Sequence, residues 1–209
     1  MPEARRACKR RPYTIGNHFH EGGRNSSSQK GCLHCMKELN ALWIPSNNYF
    51  PGRYGHAPRW IILHGTAGFG SAEEVGYYFQ RADVATHYII GQDGTLVSSV
   101  SEQDAAWGNG GVTEGHDSWW TRGLNPNLVT ISIEHVKPSL DNSDELTDMQ
   151  KQVSFVLIER ICERYGIPKR WADGEGGITG HYSMDPVHRS FCPGPYPWDE
   201  LFEFLNRAG

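Results

Sequence analysis

The sequence predicts an α/β domain from Leu42 onward, preceded by an arm over residues 1–40 of a different character. Three observations carry this. Trp60-Ile61-Ile62-Leu63 is a continuous apolar run, as expected of a central strand covered on both faces. Val129-Thr130-Ile131-Ser132-Ile133-Glu134 alternates, so it reads as a strand with one apolar and one polar face. Helical periodicities opened by capping residues lie between and after them. The 209 residues suffice for one domain plus an extension. A content of 38% hydrophobic and 21% charged residues is a globular balance, which excludes a wholly disordered chain.

Taken in order, the strand at Trp60–Leu63 is followed by Ser71-Ala72-Glu73-Glu74, a capping box with Glu at the third helical position. Val75, Tyr78 and Phe79 behind it fall at helical spacing and are expected to face the core. His87-Tyr88-Ile89-Ile90, Gln92-Asp93-Gly94 and Thr95-Leu96-Val97 form a hairpin pattern, because Asp-Gly favours a tight turn. From Glu102 to Asn127 runs a long irregular stretch rich in Gly and Trp, and loops of that length are usually functional. After the alternating strand, Thr147 and Gln150 can cap a helix to about Tyr165, which Gly166 ends. Val153, Val156, Leu157 and Ile161 are its expected buried stripe. A last helix from about Trp198 to Asn206 would bury Trp198, Leu201, Phe202 and Leu205.

The arm has Gly22-Gly23, Ser26-Ser27-Ser28 and few large apolar residues, so it can form little core. Eight Lys/Arg against two Glu give residues 1–37 a charge of +6, leaving −10 for the remainder of a chain whose net charge is −4. A basic arm on an acidic body suits an anionic polymer, and a solvated tail accounts for it equally well. Cys8, Cys32, Cys35, Cys162 and Cys192 are odd in number, which argues against a disulfide framework. The Cys-x-x-Cys pair Cys32/Cys35, with Cys8, His18 and His20 upstream, could hold a small structural zinc ion or could be free thiols. No apolar run approaches about 18 residues, so no membrane-spanning helix is expected. Nothing apolar follows the basic Met1–Arg11, so no conventional secretory signal is read there.

His64 ends the apolar strand, where a lone histidine is more often a satisfied structural residue than a ligand. His181 closes a Gly-Ile-Thr-Gly-His run, and Cys192-Pro193-Gly194 follows eleven residues later. Two His and one Cys at element ends make a three-ligand set with one position open, the arrangement of catalytic zinc sites. Cys192 alone could equally be a small buried hydrophobe. Glu134 ends its strand on the polar face with Thr130 and Ser132, and must be solvated in a cleft or paired. Beside an activated water it would act as general base and then acid.

Ile61 through Gly68, Thr86 through Ile90 with Asp93-Gly94-Thr95, Ala106-Trp107, Asn127 through His135, Gly180-His181 and Cys192-Pro193-Gly194 occur in one order. That order resembles the type-2 N-acetylmuramoyl-L-alanine amidases, over about residues 42–206. The resemblance implies a central mixed β-sheet flanked by helices and Zn2+ on His64, His181 and Cys192. It also implies a catalytic Glu134 and hydrolysis of the amide joining N-acetylmuramic acid to L-alanine in peptidoglycan. Thr66, His87, Tyr88 and Trp107, with the loop to Asn127, are expected to line the substrate groove. Many members place a Lys two residues before the third ligand, but here that position is Ser190, behind His188 and Arg189. Arg189 or Ser190 is therefore expected to stabilise the oxyanion, ahead of His188. The Tyr that some phage members carry before the His-aromatic pair is Thr86 here, which favours the Glu134 type of mechanism. The expected setting is a monomeric phage endolysin, made in host cytoplasm and acting on the wall at release, without nucleic acid as a partner. A wall-binding module without activity and an amidase recycling soluble muropeptides are the rival readings.

Overall fold

The computed structural model describes residues 39–121 and 123–207, so the proposed Cys8, His18, His20, Cys32 and Cys35 site lies outside the described residues. The chain runs through β1 (Leu42–Trp43), β2 (Tyr49–Phe50), β3 (Trp60–Gly65), α1 (Ala72–Phe79), β4 (Tyr88–Ile90), β5 (Leu96–Ser98) and β6 (Ala105–Ala106). It continues through β7 (Thr130–His135), α2 (Asp148–Tyr165), β8 (Gly177–Gly180) and α3 (Trp198–Leu205). Six strands form one mixed sheet in the order β1-β5-β4-β7-β3-β8. Only the β4–β5 hairpin is antiparallel in it, and β2 pairs with β6 separately.

Strand alternation decides which side chains share a face. Ile61, Leu63, Ile131, Ile133 and Ile178 pack against α2 and α3. Trp60 and Ile62 point the other way, under Trp120, Leu128 and Met184. On that second face α1 covers β4 and β5 through Val75 and Phe79 against Ile89 and Val97.

Thr147 and Gln150 close both halves of the capping box of α2, and Gly166 ends it in the left-handed conformation at φ 66°. Only half of the expected box forms at α1. Ser71 Oγ accepts from Glu74 N, but the Glu74 carboxylate accepts from Gly70 N. Tyr78 also departs from expectation, since an eight-residue helix offers one narrow stripe and Ala72, Val75, Gly76 and Phe79 occupy it. Tyr78 is left 43% exposed. Trp198 and Phe202 are half-buried, stacking with Trp171 while Leu201 and Leu205 fill the core.

The polar face of β7 is covered as well as the apolar one. All six residues are buried, because the segment from Trp107 to Val129 folds back over them. Asn109 pairs with this row, its Nδ2 donating to Thr130 Oγ1 at 2.7 Å while Ser132 Oγ donates to its Oδ1 at 3.2 Å. Arg53 pins the same region. Its Nε donates to Glu102 O, and its Nη1 to the carbonyls of Asn127, Leu128 and Thr130 at 2.9–3.2 Å. Replacing Arg53 by Met strands these buried carbonyls. We expect a loss of about 3 kcal/mol in urea unfolding, and a change under about 1 kcal/mol would remove Arg53 from this role.

Candidate active site

β3 and β7 lie side by side in parallel, with His64 paired in register to Glu134. Both end on the face away from α2 and α3, by the same alternation that sends Leu63 and Ile133 to the helices. His181 follows β8 directly and has the parity of Thr179, so it joins them from the other side of β3. Open sheets place ligand sites at such carboxyl ends. A cleft of about 600 Å³ opens there between α1 and the Trp107–Gly110 segment, lined also by Thr66, Phe69, Asn142, Arg189, Ser190 and Cys192.

The ligand atoms of His64, His181 and Cys192 all lie within 4.8 Å of one another. His64 Nδ1 is 4.0 Å from Cys192 Sγ, and the two imidazoles stand edge to face at 4.5 Å. A tetrahedral zinc ion separates such donors by about 3.5 Å, so small side-chain movements suffice to close the set. His181 Nε2 donates to Asn109 O at 2.9 Å, which fixes its tautomer and leaves Nδ1 with a free lone pair. His64 Nε2 is buried with no hydrogen-bond partner.

Two glycines let the cysteine turn dock. A Cβ on Gly65 would meet the Asn142 side chain at 2.2 Å and Pro193 O at 2.6 Å. Gly194 has φ +76°, and its Cβ would meet Asn142 O at 2.1 Å.

Burial sets the protonation of the site. It pushes the Glu134 carboxyl up to about 8, against the opposing charge of Arg189. The Glu134 carboxylate has no hydrogen-bond partner among the described residues. The Cys192 thiol is raised to about 12, by burial first and then by Glu134. Burial holds His181 at about 4 and His64 well below 6.5, so both rings are neutral and able to ligate. Arg189 is exposed at the rim, and its charge acts on Glu134, His64, His181 and Cys192 alike. Ser190 is exposed beside it.

Two expected groove residues are elsewhere. Tyr88 pairs with Ile133, which puts it on the α2 face, where its hydroxyl donates to Glu102 Oε1 at 2.9 Å. His87 is fully buried beneath the folded-back segment. Its Nδ1 accepts from Ser132 N, its Nε2 donates to Asp104 O, and Arg53 Nη2 lies 2.8 Å from that nitrogen. Of the Trp107–Asn127 loop, Trp107 to Gly110 line the cleft, while Trp120 packs on Trp60.

Sequence reasoning passed over Asn109, Asn142 and Asp185, and weighed His188 only as an oxyanion donor, not as the partner of Asp185. Asp185 Oδ1 accepts from Thr113 Oγ1 at 2.8 Å and from His188 Nδ1 at 3.0 Å. Spacing could have flagged Asp185, three residues before His188, but Asn109 meets His181 through its backbone carbonyl.

Residues 54–195 match the N-acetylmuramoyl-L-alanine amidase family. The chain belongs to that family. It is accordingly an N-acetylmuramoyl-L-alanine amidase by class, and the fold agrees. AmpD, seen as a selenomethionine derivative, is 19% identical with a TM-score of 0.61, over 79% of this chain and 94% of that one. The amidase LysC from Clostridium intestinale URNW is 18% identical with a TM-score of 0.56, over 81% and 99%. AmiD from E. coli, in complex with anhydro-N-acetylmuramic acid-L-Ala-D-gamma-Glu-L-Lys, is 20% identical with a TM-score of 0.57, over 76% and 60%. At these identities the likeness is one of fold. No curated protein matches the amidase chain.

Four buried imidazoles make this amidase acid-sensitive without metal. Burial lowers His87 to about 3 and His135 to about 4, alongside His64 and His181. Between pH 6.5 and about 4 the unfolded chain protonates all four while the folded chain keeps them neutral. Glu134 opposes with a single proton held in the folded state. Net uptake on unfolding means stability falls as pH falls. In chelator the urea midpoint should drop from pH 7 to 5, and a flat or rising midpoint would contradict this account.

Proposed function

We propose that this amidase is zinc-dependent and cleaves the amide between the lactyl group of N-acetylmuramic acid and L-alanine in intact cell wall, as a lytic enzyme. The observation that carries the reading is the convergence of His64, His181, Cys192 and Glu134 at the mouth of one cleft. His64 and His181 through nitrogen and Cys192 through sulfur would hold zinc, leaving one position open. Zinc, when bound, supplies Lewis acidity to a carbonyl oxygen and acidifies water.

Glu134 takes the proton of the attacking water and delivers it to the leaving alanine nitrogen. Its burial favours the protonated form it must adopt midway. Arg189 and Ser190 at the rim offer donors toward the oxyanion. Thr66 and Trp107, with Phe69 and Tyr78, provide the walls on which sugar and stem peptide rest.

The basic arm, +6 over residues 1–37, suits attachment to an anionic wall, and the protein acts as a monomer made in the host cytoplasm and working on the wall after release. Among the described residues no helix is long and apolar enough to cross a membrane. The soluble muropeptide seen with AmiD favours a second reading, turnover of soluble fragments. Incubating the protein with purified sacculi and with soluble muropeptides, and counting new L-alanine amino termini, separates the two. Release from sacculi is expected. Release from soluble fragments alone supports turnover, and release from neither overturns both.

A further inference from the structure

We propose that Lys137 is a positioning residue for the metal site, a buried cation that braces the Cys192 turn and balances the charge of its sulfur. This rests on the zinc reading above. Lys137 lies two residues beyond β7 and is fully buried. Its backbone is strapped to the segment that follows His64. Lys137 N donates to Thr66 Oγ1 at 2.8 Å, and its carbonyl accepts from Gly68 N at 2.8 Å. At the other end, Nζ donates to Pro195 O at 2.7 Å, and a Cβ on Gly194 would lie 2.9 Å from it. One residue thus joins, through its backbone and its side chain, the segments carrying two of the three ligands.

A buried ammonium held by one neutral carbonyl is poorly compensated. Burial draws Lys137 down to about 8, against the charges of Glu145, Asp144 and Cys192. Asp144 is already committed, accepting from Ser139 N at 2.7 Å and Ser139 Oγ at 2.9 Å. The remaining buried acid in that group is the Cys192 thiol, 9% exposed and at the head of the turn whose Pro195 carbonyl Nζ holds. A thiolate ligand beside an ionised Glu134 would put two negative groups in one buried site. Lys137 supplies the positive charge beneath them, as outer-shell partners do at metal sites.

The test is zinc affinity, by competition with a chromophoric chelator, in the full chain with Cys8, Cys32 and Cys35 replaced by Ser. Lys137→Met removes the charge at nearly constant volume, and Lys137→Gln keeps a donor for Pro195 O. Zinc binding should weaken 10–100-fold in both, while melting in chelator stays close to the parent, because burying an apolar group there costs the fold little. Parent-like zinc affinity in either folded variant would overturn the proposal. So would a loss of affinity matched by an equal loss of metal-free stability, including failure to fold, since Lys137 would then be structural only. A parent protein that takes up no zinc would instead sink the metal reading itself.

Discussion

Glu134→Gln is expected to lower kcat on sacculi by about 10²–10⁴-fold, the range that a positioned acid–base group contributes. The substitution keeps the shape and burial of the side chain at the end of β7, beside His64 in register. It removes only the capacity to take and return a proton. Zinc content should therefore be unchanged, and stability in chelator should hold or rise, since a neutral amide replaces a carboxyl that burial already disfavours as an ion. A variant retaining more than about a tenth of the parent rate would leave Glu134 a structural acid, because general catalysis by it would then be worth under 1.4 kcal/mol.

Cys192→Ala carries the second large effect. It would remove the one anionic member from the proposed ligand set of three, and no other described Cys, Asp or Glu joins His64 and His181 within ligand distance. Zinc affinity should fall by at least about 100-fold, and activity at micromolar zinc should fall to background. The fold should survive, because Cys192 sits in a turn outside the packed clusters of the sheet. Restoration of activity by raised zinc would agree with a weakened two-histidine site. Parent affinity without the sulfur would remove Cys192 from the ligand set.

Much of the frame was readable because it rests on local pattern. The apolar run at Trp60–Leu63 is β3, the Thr147/Gln150 cap opens α2, and the ordered motifs led to the family that the match over residues 54–195 establishes. What misled was long-range. The alternation of β7 marks a polar face but not what covers it: Asn109 and the segment around it roof that face, a contact no local rule reports. Tyr88 was expected in the groove through its neighbourhood in sequence, but a period of two sends it to the α2 face, opposite Glu134. Lys137 drew no notice because lysines are rarely buried. Its place emerges only when the Thr66 and Pro195 contacts are seen together.

The central claim is that one metal held by His64, His181 and Cys192 enables Glu134 to drive amide hydrolysis. Its most direct test strips the Cys8/Cys32/Cys35→Ser protein with chelator, returns zinc stepwise, and follows L-alanine amino termini released from sacculi. The account predicts negligible release without metal and a linear rise that ends at one zinc per chain. Full release from the stripped protein, or a rise that Cys192→Ala reproduces unchanged, would contradict it.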